Sequence, residues 1–162
     1  MNINFNYIFT SNLCRTIETS NIIINKMHNN DYFNLNKDKN HCNMITKSSV
    51  ELNAKNYGSL TDKNVQELEE IFGIEKMRVW RKSYWINPPN GESLNDVGKR
   101  CGVYFDNEIR PLIYQGNNIL IISHSSTIKS LLVHLSIKNE NNIEYFNVPN
   151  CKPIEIDIYD KS

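Results

Sequence analysis

The sequence predicts an α/β fold, a three-layer sandwich of helices around a mostly parallel sheet. Short apolar runs at 6–11 (NYIFTS) and 119–123 (ILIIS) have the length of buried strands, and each leads into a helical pattern. Strands that alternate with amphipathic helices are typical of parallel sheets covered on both faces. The ligand crevice of such sheets lies beyond the carboxyl ends of the strands. The residues that follow these two runs are therefore the first candidates for a site.

The first helical pattern follows the first strand directly. We expect Ser11 to cap a helix that runs to about Met27, because a serine hydroxyl satisfies a free N–H at a helix start. Residues 29–43 are rich in Asn, Asp and Lys without periodicity, which predicts a solvated loop. Apolar residues at core-like spacing along the helix are Leu13, Ile17 and Ile24.

Two shorter helices are predicted in the middle of the chain. Thr61 is the expected cap of the first, and Gly73 is expected to end it. The second runs from there to Tyr84, and the stretch PPNG at 88–91 stops it. The apolar stripe of the first helix consists of Val65, Leu68 and Phe72.

The second half of the chain alternates helix and strand. Ser93 is expected to open a long amphipathic helix that ends near Gly116. The strand at 119–123 leads into a helix from Ser126 to about Ser136. The alternation of isoleucines with acidic residues predicts a last strand at Pro153–Tyr159.

Length, charge and cysteine content restrict the class of protein. The 162 residues fit a single domain, 1–162, and the formal net charge is zero, so broad attraction to nucleic acid or an anionic membrane is not expected. No apolar run approaches the ~18 residues that span a bilayer. Four scattered cysteines without a CxxC pair predict reduced thiols, no metal site and a cytoplasmic protein: Cys14, Cys42, Cys101 and Cys151.

His124 stands at the junction between the strand at 119–123 and the next helix. This position projects into the expected crevice, where the start of a helix offers free N–H groups and a partly positive dipole end to an anion. A histidine with a purely structural hydrogen bond has the same sequence signature, so His124 alone does not decide between the two.

Further cations strengthen the prediction of an anion site. Arg15 lies in the first turn of the first helix, and Arg81 with Lys82 stands among aromatic residues. Lys55 and Tyr57 lie in a loop that contains a glycine. One guanidinium group can bind two phosphate oxygens at once. The occurrence of these cations together with His124 therefore favours a phosphate monoester site. Each cation taken separately is also compatible with a solvated surface charge.

Five segments in order identify a resemblance to the 2,3-bisphosphoglycerate-dependent phosphoglycerate mutases, of the histidine phosphatase superfamily. They are FTSNLCRTIET, ELNAKNYGSLT, VWRKSYWINPPNGESLNDV, the stretch from ILIISHSST to Leu135, and FNVPNCKPIEI. The direct step from PP to GESL is similar to the short form of the family. The resemblance implies interconversion of 2- and 3-phosphoglycerate through a phosphohistidine, with 2,3-bisphosphoglycerate as cofactor and no metal. It implies small phosphorylated three-carbon acids as partners, and a possible homo-oligomer.

The resemblance also implies roles for individual residues. His124 corresponds to the second histidine, which stabilises the phosphoryl group in transfer, and Ser125 follows it next to the bound phosphate. Five further residues match substrate-binding positions of the family: Arg15, Lys55, Tyr57, Arg81 and Lys82.

The chain departs from the family pattern at other positions. The Arg-His-Gly triplet that carries the phosphate does not occur in the 162 residues. We therefore expect a chain that is N-terminally truncated relative to the family, without its first strand and helix. Ala54 stands where the family has the proton-transferring Glu, and Val65 where it has a Lys. Three hypotheses remain open: a mutase whose N-terminus is missing, a non-catalytic relic or pseudoenzyme that binds phosphorylated ligands or pairs with another subunit, and a phosphatase of the same superfamily.

Overall fold

A computed structural model of the chain describes residues 4–31 and 44–159. The chain forms two compact units, which we name after their main content. The sheet unit comprises Met1–Asn53, Asp106–Ser123 and Ile156–Ser162, and the helical unit comprises Ala54–Phe105 and His124–Glu155.

The sheet unit contains three parallel strands: β1 at Tyr7–Ser11, β2 at Ile45–Ser49 and β3 at Ile119–Ile122. Their order is β2-β1-β3, so β1 pairs with both neighbours. Ile8 and Phe9 of β1 have no exposed surface, as expected for the central strand. The predicted α/β class with a parallel sheet and both predicted apolar strands are confirmed. The strand β2 was not predicted, because its sequence ITKSS is polar and mostly exposed.

The helix α1 spans Cys14–Asp31 and packs against β1 and β3. It begins later than predicted, because the Ser11 hydroxyl is part of a buried pair with the Thr16 hydroxyl at 2.6 Å. Ser11 Oγ also accepts a hydrogen bond from the Leu13 N–H at 3.2 Å, ahead of the helix. The first residues of the predicted loop at 29–43 are helical, and residues 32–43 lie outside the described residues.

The predicted buried stripe of α1 is wrong. Ile17 is exposed, and Leu13 and Ile24 are only half-buried. The buried positions are instead Thr16 and Ser20, which are 4% and 1% exposed. Small hydroxyl-bearing side chains allow the helix to approach the sheet closely, and helical periodicity of apolar residues does not reveal them.

The helical unit contains α2 at Val65–Phe72, α3 at Ile74–Lys82, α4 at Leu94–Tyr104 and α6 at Ser125–His134. Gly73 separates α2 from α3 with a φ of 82°, a left-handed conformation that favours glycine. The cap of α2 is Asn64, whose side chain accepts from the Gln66 N–H, and the prediction of Thr61 is wrong. Thr61 instead ends a short 3₁₀ turn at Gly58–Leu60. Leu60, Leu68, Met77 and Trp80 form a buried cluster between these elements.

The long helix predicted from Ser93 to Gly116 is confirmed as three consecutive segments: α4, a π-helical stretch at Phe105–Ile109, and α5 at Arg110–Tyr114. Ser93 caps α4 in a capping box, in which its hydroxyl accepts from the Asp96 N–H and the Asp96 carboxylate accepts from the Ser93 N–H. α5 belongs to the sheet unit.

Helices α4 and α6 pack closely against each other within the helical unit. A methyl group at Gly102 would collide with the His134 ring, and the Ser130 hydroxyl donates to the Leu94 carbonyl oxygen at 2.7 Å. The glycine on α4 and the hydroxyl on α6 thus set the short distance between the two helices.

The last predicted strand, Pro153–Tyr159, is wrong. This segment has no regular secondary structure, and Ile154, Ile156 and Tyr159 are exposed. Alternating apolar and acidic residues suit a strand only where a neighbouring strand pairs with them. Within the described ranges, no helix is both long and apolar enough to cross a membrane.

Candidate functional site

Six of the seven predicted site residues lie in the helical unit: Lys55, Tyr57, Arg81, Lys82, His124 and Ser125. The seventh, Arg15, lies in the sheet unit as the second residue of α1, with its side chain exposed. This placement agrees with the first helical turn that the sequence predicted. Its binding role stays a prediction.

The last turn of α3 carries Arg81 and Lys82, and both side chains are exposed. The same helix buries Met77 and Trp80, which are 2% and 7% exposed. Helix geometry places Lys82 on the side opposite to these two residues, whereas Arg81 follows Met77 by four residues and lies at the edge of the buried face. The pair lines a cavity of about 360 Å³, whose wall consists of Tyr57, Glu69, Ile74, Arg78, Arg81 and Lys82.

Arg78 is a cavity residue that the sequence reasoning missed. It precedes Arg81 by three residues, so the two guanidinium groups lie on the same helix face. Its Nε donates to Glu75 at 3.0 Å, and Glu144 lies 4.0 Å from its Nη1. The hydrogen bond and charge of Glu75 raise the pKa of Arg78. The spacing of Arg78, Arg81 and Lys82 in the sequence was the signal that identifies this cationic face.

The loop 54–58 is held by hydrogen bonds from its backbone to a half-buried ion pair. Glu92 and Arg100 are 2.7 Å apart, the Glu92 carboxylate accepts from the Asn56 N–H, and Arg100 donates to the Ala54 carbonyl oxygen. Burial acts to raise the pKa of Glu92, but the hydrogen bonds from Arg100 and Asn56 outweigh it and lower the pKa. Ser93 therefore provides the helix cap, and the preceding residue, Glu92, fixes the loop.

Lys55 is buried, with only 3% of its surface exposed. Its Nζ donates to the Trp80 carbonyl oxygen at 2.7 Å and lies 5.4 Å from the centre of the Tyr57 ring. Its backbone N–H donates to the Ser126 hydroxyl at 3.1 Å. Burial lowers the pKa of Lys55 to about 8, although the charges of Glu92 and Asp96 oppose the shift. The ammonium group thus binds the backbone of α3, Lys55 is not among the residues that line the cavity, and its predicted contact with substrate stays a prediction.

Tyr57 reaches the cavity because the turn at 88–91 packs tightly on the next residue. Gly58 has a φ of 56°, and a methyl group there would collide with the backbone of Pro89 to Gly91. The Ser59 N–H also donates to the Pro89 carbonyl oxygen at 2.9 Å. Only a glycine allows this approach, so the sequence NYG fixes the position of the tyrosine.

His124 and Ser125 lie at the start of α6. His124 is half-buried with an extended backbone, and its carbonyl oxygen accepts the first helical hydrogen bond from the Ile128 N–H at 2.8 Å. Ser125 is exposed as the first helical residue. The junction predicted for His124 is confirmed, while its chemical role is untested. Burial, and then the charge of Lys82, lowers the pKa of Lys129 on the same helix, which adds a cation that the sequence reasoning missed.

A sequence model described as histidine phosphatase superfamily (branch 1) matches residues 1–162. A 2,3-bisphosphoglycerate-dependent phosphoglycerate mutase of Chlamydia muridarum is 45% identical over 106 residues, which cover 65% of this chain and 47% of the relative. The corresponding protein of Chlamydia felis is 37% identical over 118 residues, covering 73% and 52%. The chain thus spans about half the length of the curated relatives it matches.

Solved structures of two phosphatases share the fold. A mycobacterial glucosyl-3-phosphoglycerate phosphatase superposes with a TM-score of 0.68 at 15% identity, covering 87% of this chain and 63% of that one. The alpha-ribazole phosphatase of Shigella flexneri gives a TM-score of 0.64 at 19% identity, covering 91% and 65%. At these identities the likeness concerns the fold alone.

Proposed function

The chain belongs to the histidine phosphatase superfamily, branch 1, and we propose that its helical unit binds phosphorylated three-carbon acids such as 3-phosphoglycerate at the cavity beside α3. The observation that carries this proposal is the cationic wall formed by Arg78, Arg81 and Lys82 on one helix face. The similarity to phosphoglycerate mutases supports the choice of ligand class. A cytoplasmic location is part of the proposal, as expected for a family of glycolysis and gluconeogenesis.

Side chains, rather than the helix dipole, provide the positive charge of this cavity. Arg81 and Lys82 lie in the last turn of α3, where the dipole is partly negative and favours cations. Guanidinium groups offer paired donors to phosphate and carboxylate oxygens, whereas an ammonium group acts as a compact point charge. A volume of about 360 Å³ also falls in the range of small-molecule sites. Because Glu75 already binds Arg78 and Glu69 adds one carboxylate to the wall, Arg81 and Lys82 are the main donors that we propose for a polyanion such as 2,3-bisphosphoglycerate.

We further propose that these 162 residues bind such ligands without converting them. The mutase reaction needs a carboxyl group for proton transfer, and the resemblance places Ala54 at that position. The methyl side chain of alanine has no ionisable proton and cannot act as an acid or a base. The phosphate-carrying Arg-His-Gly triplet also does not occur in the sequence.

Two measurements test this proposal. In the first, 3-phosphoglycerate and inorganic phosphate are titrated into the chain while the amide resonances of Arg81 and Lys82 are followed. Lys82→Gln is expected to weaken binding roughly tenfold, the loss of one charge-assisted contact. The matched control is Lys99→Gln on α4, which removes a lysine that is 71% exposed and paired only weakly with Asp96. Equal affinities of the two variants would exclude the cavity as the binding site.

The second measurement concerns turnover. The chain is incubated with 2,3-bisphosphoglycerate and its intact mass is determined. We expect an unchanged mass and no conversion of 3-phosphoglycerate. The gain of one phosphoryl group would show that the chain has a nucleophile and would refute the non-catalytic part of the proposal.

A further inference from the structure

Lys55 makes an unusual contact for a lysine, since it buries its ammonium group on a backbone carbonyl. Lysine is almost never fully buried unless its charge has a partner, because removing it from water is costly. The Lys55 Nζ donates to the Trp80 carbonyl oxygen at 2.7 Å. The last four carbonyls of a helix have no partner inside the helix, and α3 ends at Lys82, so the Trp80 carbonyl is one of them. Lys55 therefore caps the carboxyl end of α3 from outside the helix.

We propose that Lys55 is a positioning residue, which fixes the last turn of α3 and so holds Arg81 and Lys82 in place at the cavity. The nature of the ligand rests on the proposed function, whereas the positioning itself does not. The contact acts on the residue immediately before the basic pair, so a shift of the Trp80 carbonyl displaces both cations together. Lys55 itself is not one of the residues that line the cavity.

The backbone around Lys55 is held by hydrogen bonds, so the Lys55 side chain can fix the position of the end of α3. Its backbone N–H donates to the Ser126 hydroxyl at 3.1 Å. The neighbouring Ala54 carbonyl and Asn56 N–H are held by Arg100 and Glu92. A lysine on a mobile loop would transmit no position to the helix, but here the loop is anchored on both sides of Lys55.

The charge of the Lys55 side chain is expected to change in an accessible pH range. The charges of Glu92 and Asp96 act on the ammonium group, which lies 5.4 Å from the centre of the Tyr57 ring, but burial outweighs them and the pKa of Lys55 falls to about 8. A neutral amine is a weaker donor than an ammonium group. Raising the pH through this value should therefore loosen the end of α3, whereas guanidinium groups keep their protons.

The first experiment needs no ligand. The amide resonances of Arg81 and Lys82 are followed from about pH 7 to about pH 9.5, a range that brackets the lowered pKa. We expect a shift with a midpoint near 8 in the native chain and no such shift in Lys55→Met. Lys55→Arg serves as a second variant, since arginine keeps the donor but does not titrate, and it should also remove the transition. The inference is overturned if the transition persists in both variants.

Lys129 provides the matched control, because burial and the charge of Lys82 lower its pKa as well. Lys129→Gln should retain the transition at Arg81 and Lys82. If this variant abolishes the transition, the titrating group is Lys129 and the inference fails.

The second experiment measures 3-phosphoglycerate affinity at about pH 7. We expect the affinity to fall roughly tenfold in Lys55→Met, which is the scale of one charged hydrogen bond. The affinity should recover in Lys55→Arg, and there it should no longer depend on the protonation of the side chain at position 55. Unchanged affinity in Lys55→Met contradicts positioning. If the native chain binds no 3-phosphoglycerate, the proposed function fails, and the ligand-free titration still decides on Lys55.

Discussion

The burial of Lys55 predicts that the folded chain becomes more stable as the pH rises from about 8 to 10.5. The pKa of Lys55 lies near 8 in the folded state against 10.5 for an unperturbed lysine. Between these values the unfolded chain binds more protons than the folded one, so the free energy of unfolding increases with pH. Each unit of pKa difference corresponds to about 1.36 kcal/mol, and the full effect is therefore about 3 kcal/mol.

Urea unfolding of the native chain and of Lys55→Met over this pH range measures the effect. Because methionine has a similar length and no charge, the variant retains most of the packing and lacks the linkage. The stability of the native chain relative to the variant should rise by up to about 3 kcal/mol, nearly all of it above pH 8. A difference that is constant with pH would show that Lys55 keeps its ordinary affinity for protons in the folded state, and the reasoning would be refuted.

Three further changes test the scaffold of the helical unit. Because folding lowers the pKa of Glu92, its carboxylate stabilises the native chain above pH 4.5, and this contribution is lost as the pH falls. Glu92→Gln lacks the contribution at every pH, so its acid unfolding curve should differ from that of the native chain. Gly102→Ala should cost roughly 1–3 kcal/mol through its collision with the His134 ring, and His134→Ala should restore most of this loss; additive effects in the double-mutant cycle would speak against the contact. Ser93→Ala should cost about 1 kcal/mol, measured by thermal unfolding, because it removes the capping box of α4, while Ser93→Thr keeps the hydroxyl and should cost less.

The sequence predicted the strands that consist mainly of apolar residues. β1 and β3 follow from their apolar runs, whereas β2 is polar and is defined only by its pairing with β1. Pro153–Tyr159 shows the converse, since its alternation is clear and it adopts no strand. In α1 the buried positions are hydroxyl-bearing, so apolar periodicity selected the wrong face.

In the candidate site, too, the features that depend on local spacing were predictable, and those that depend on tertiary contacts were not. Arg81, Lys82 and Tyr57 were predicted together, and all three line one cavity. Arg78 was identifiable from its spacing of three residues to Arg81. The orientation of Lys55 was not, because it depends on the position of a carbonyl on α3, which is 25 residues away in the chain.

The way in which the loop at 54–58 is held bears on the proposal that the chain binds phosphorylated ligands without converting them. The partners that hold it, Arg100, Glu92 and Ser126, contact backbone groups of residues 54–56 and not the Ala54 side chain. The proposal takes Ala54 to replace a glutamate of the family, and such a replacement leaves these backbone contacts in place. Tyr57 keeps its place at the cavity for the same reason, since its position depends on Gly58 and the turn at 88–91. A loop held through its backbone in this way supports the proposal that the chain binds phosphorylated ligands without converting them.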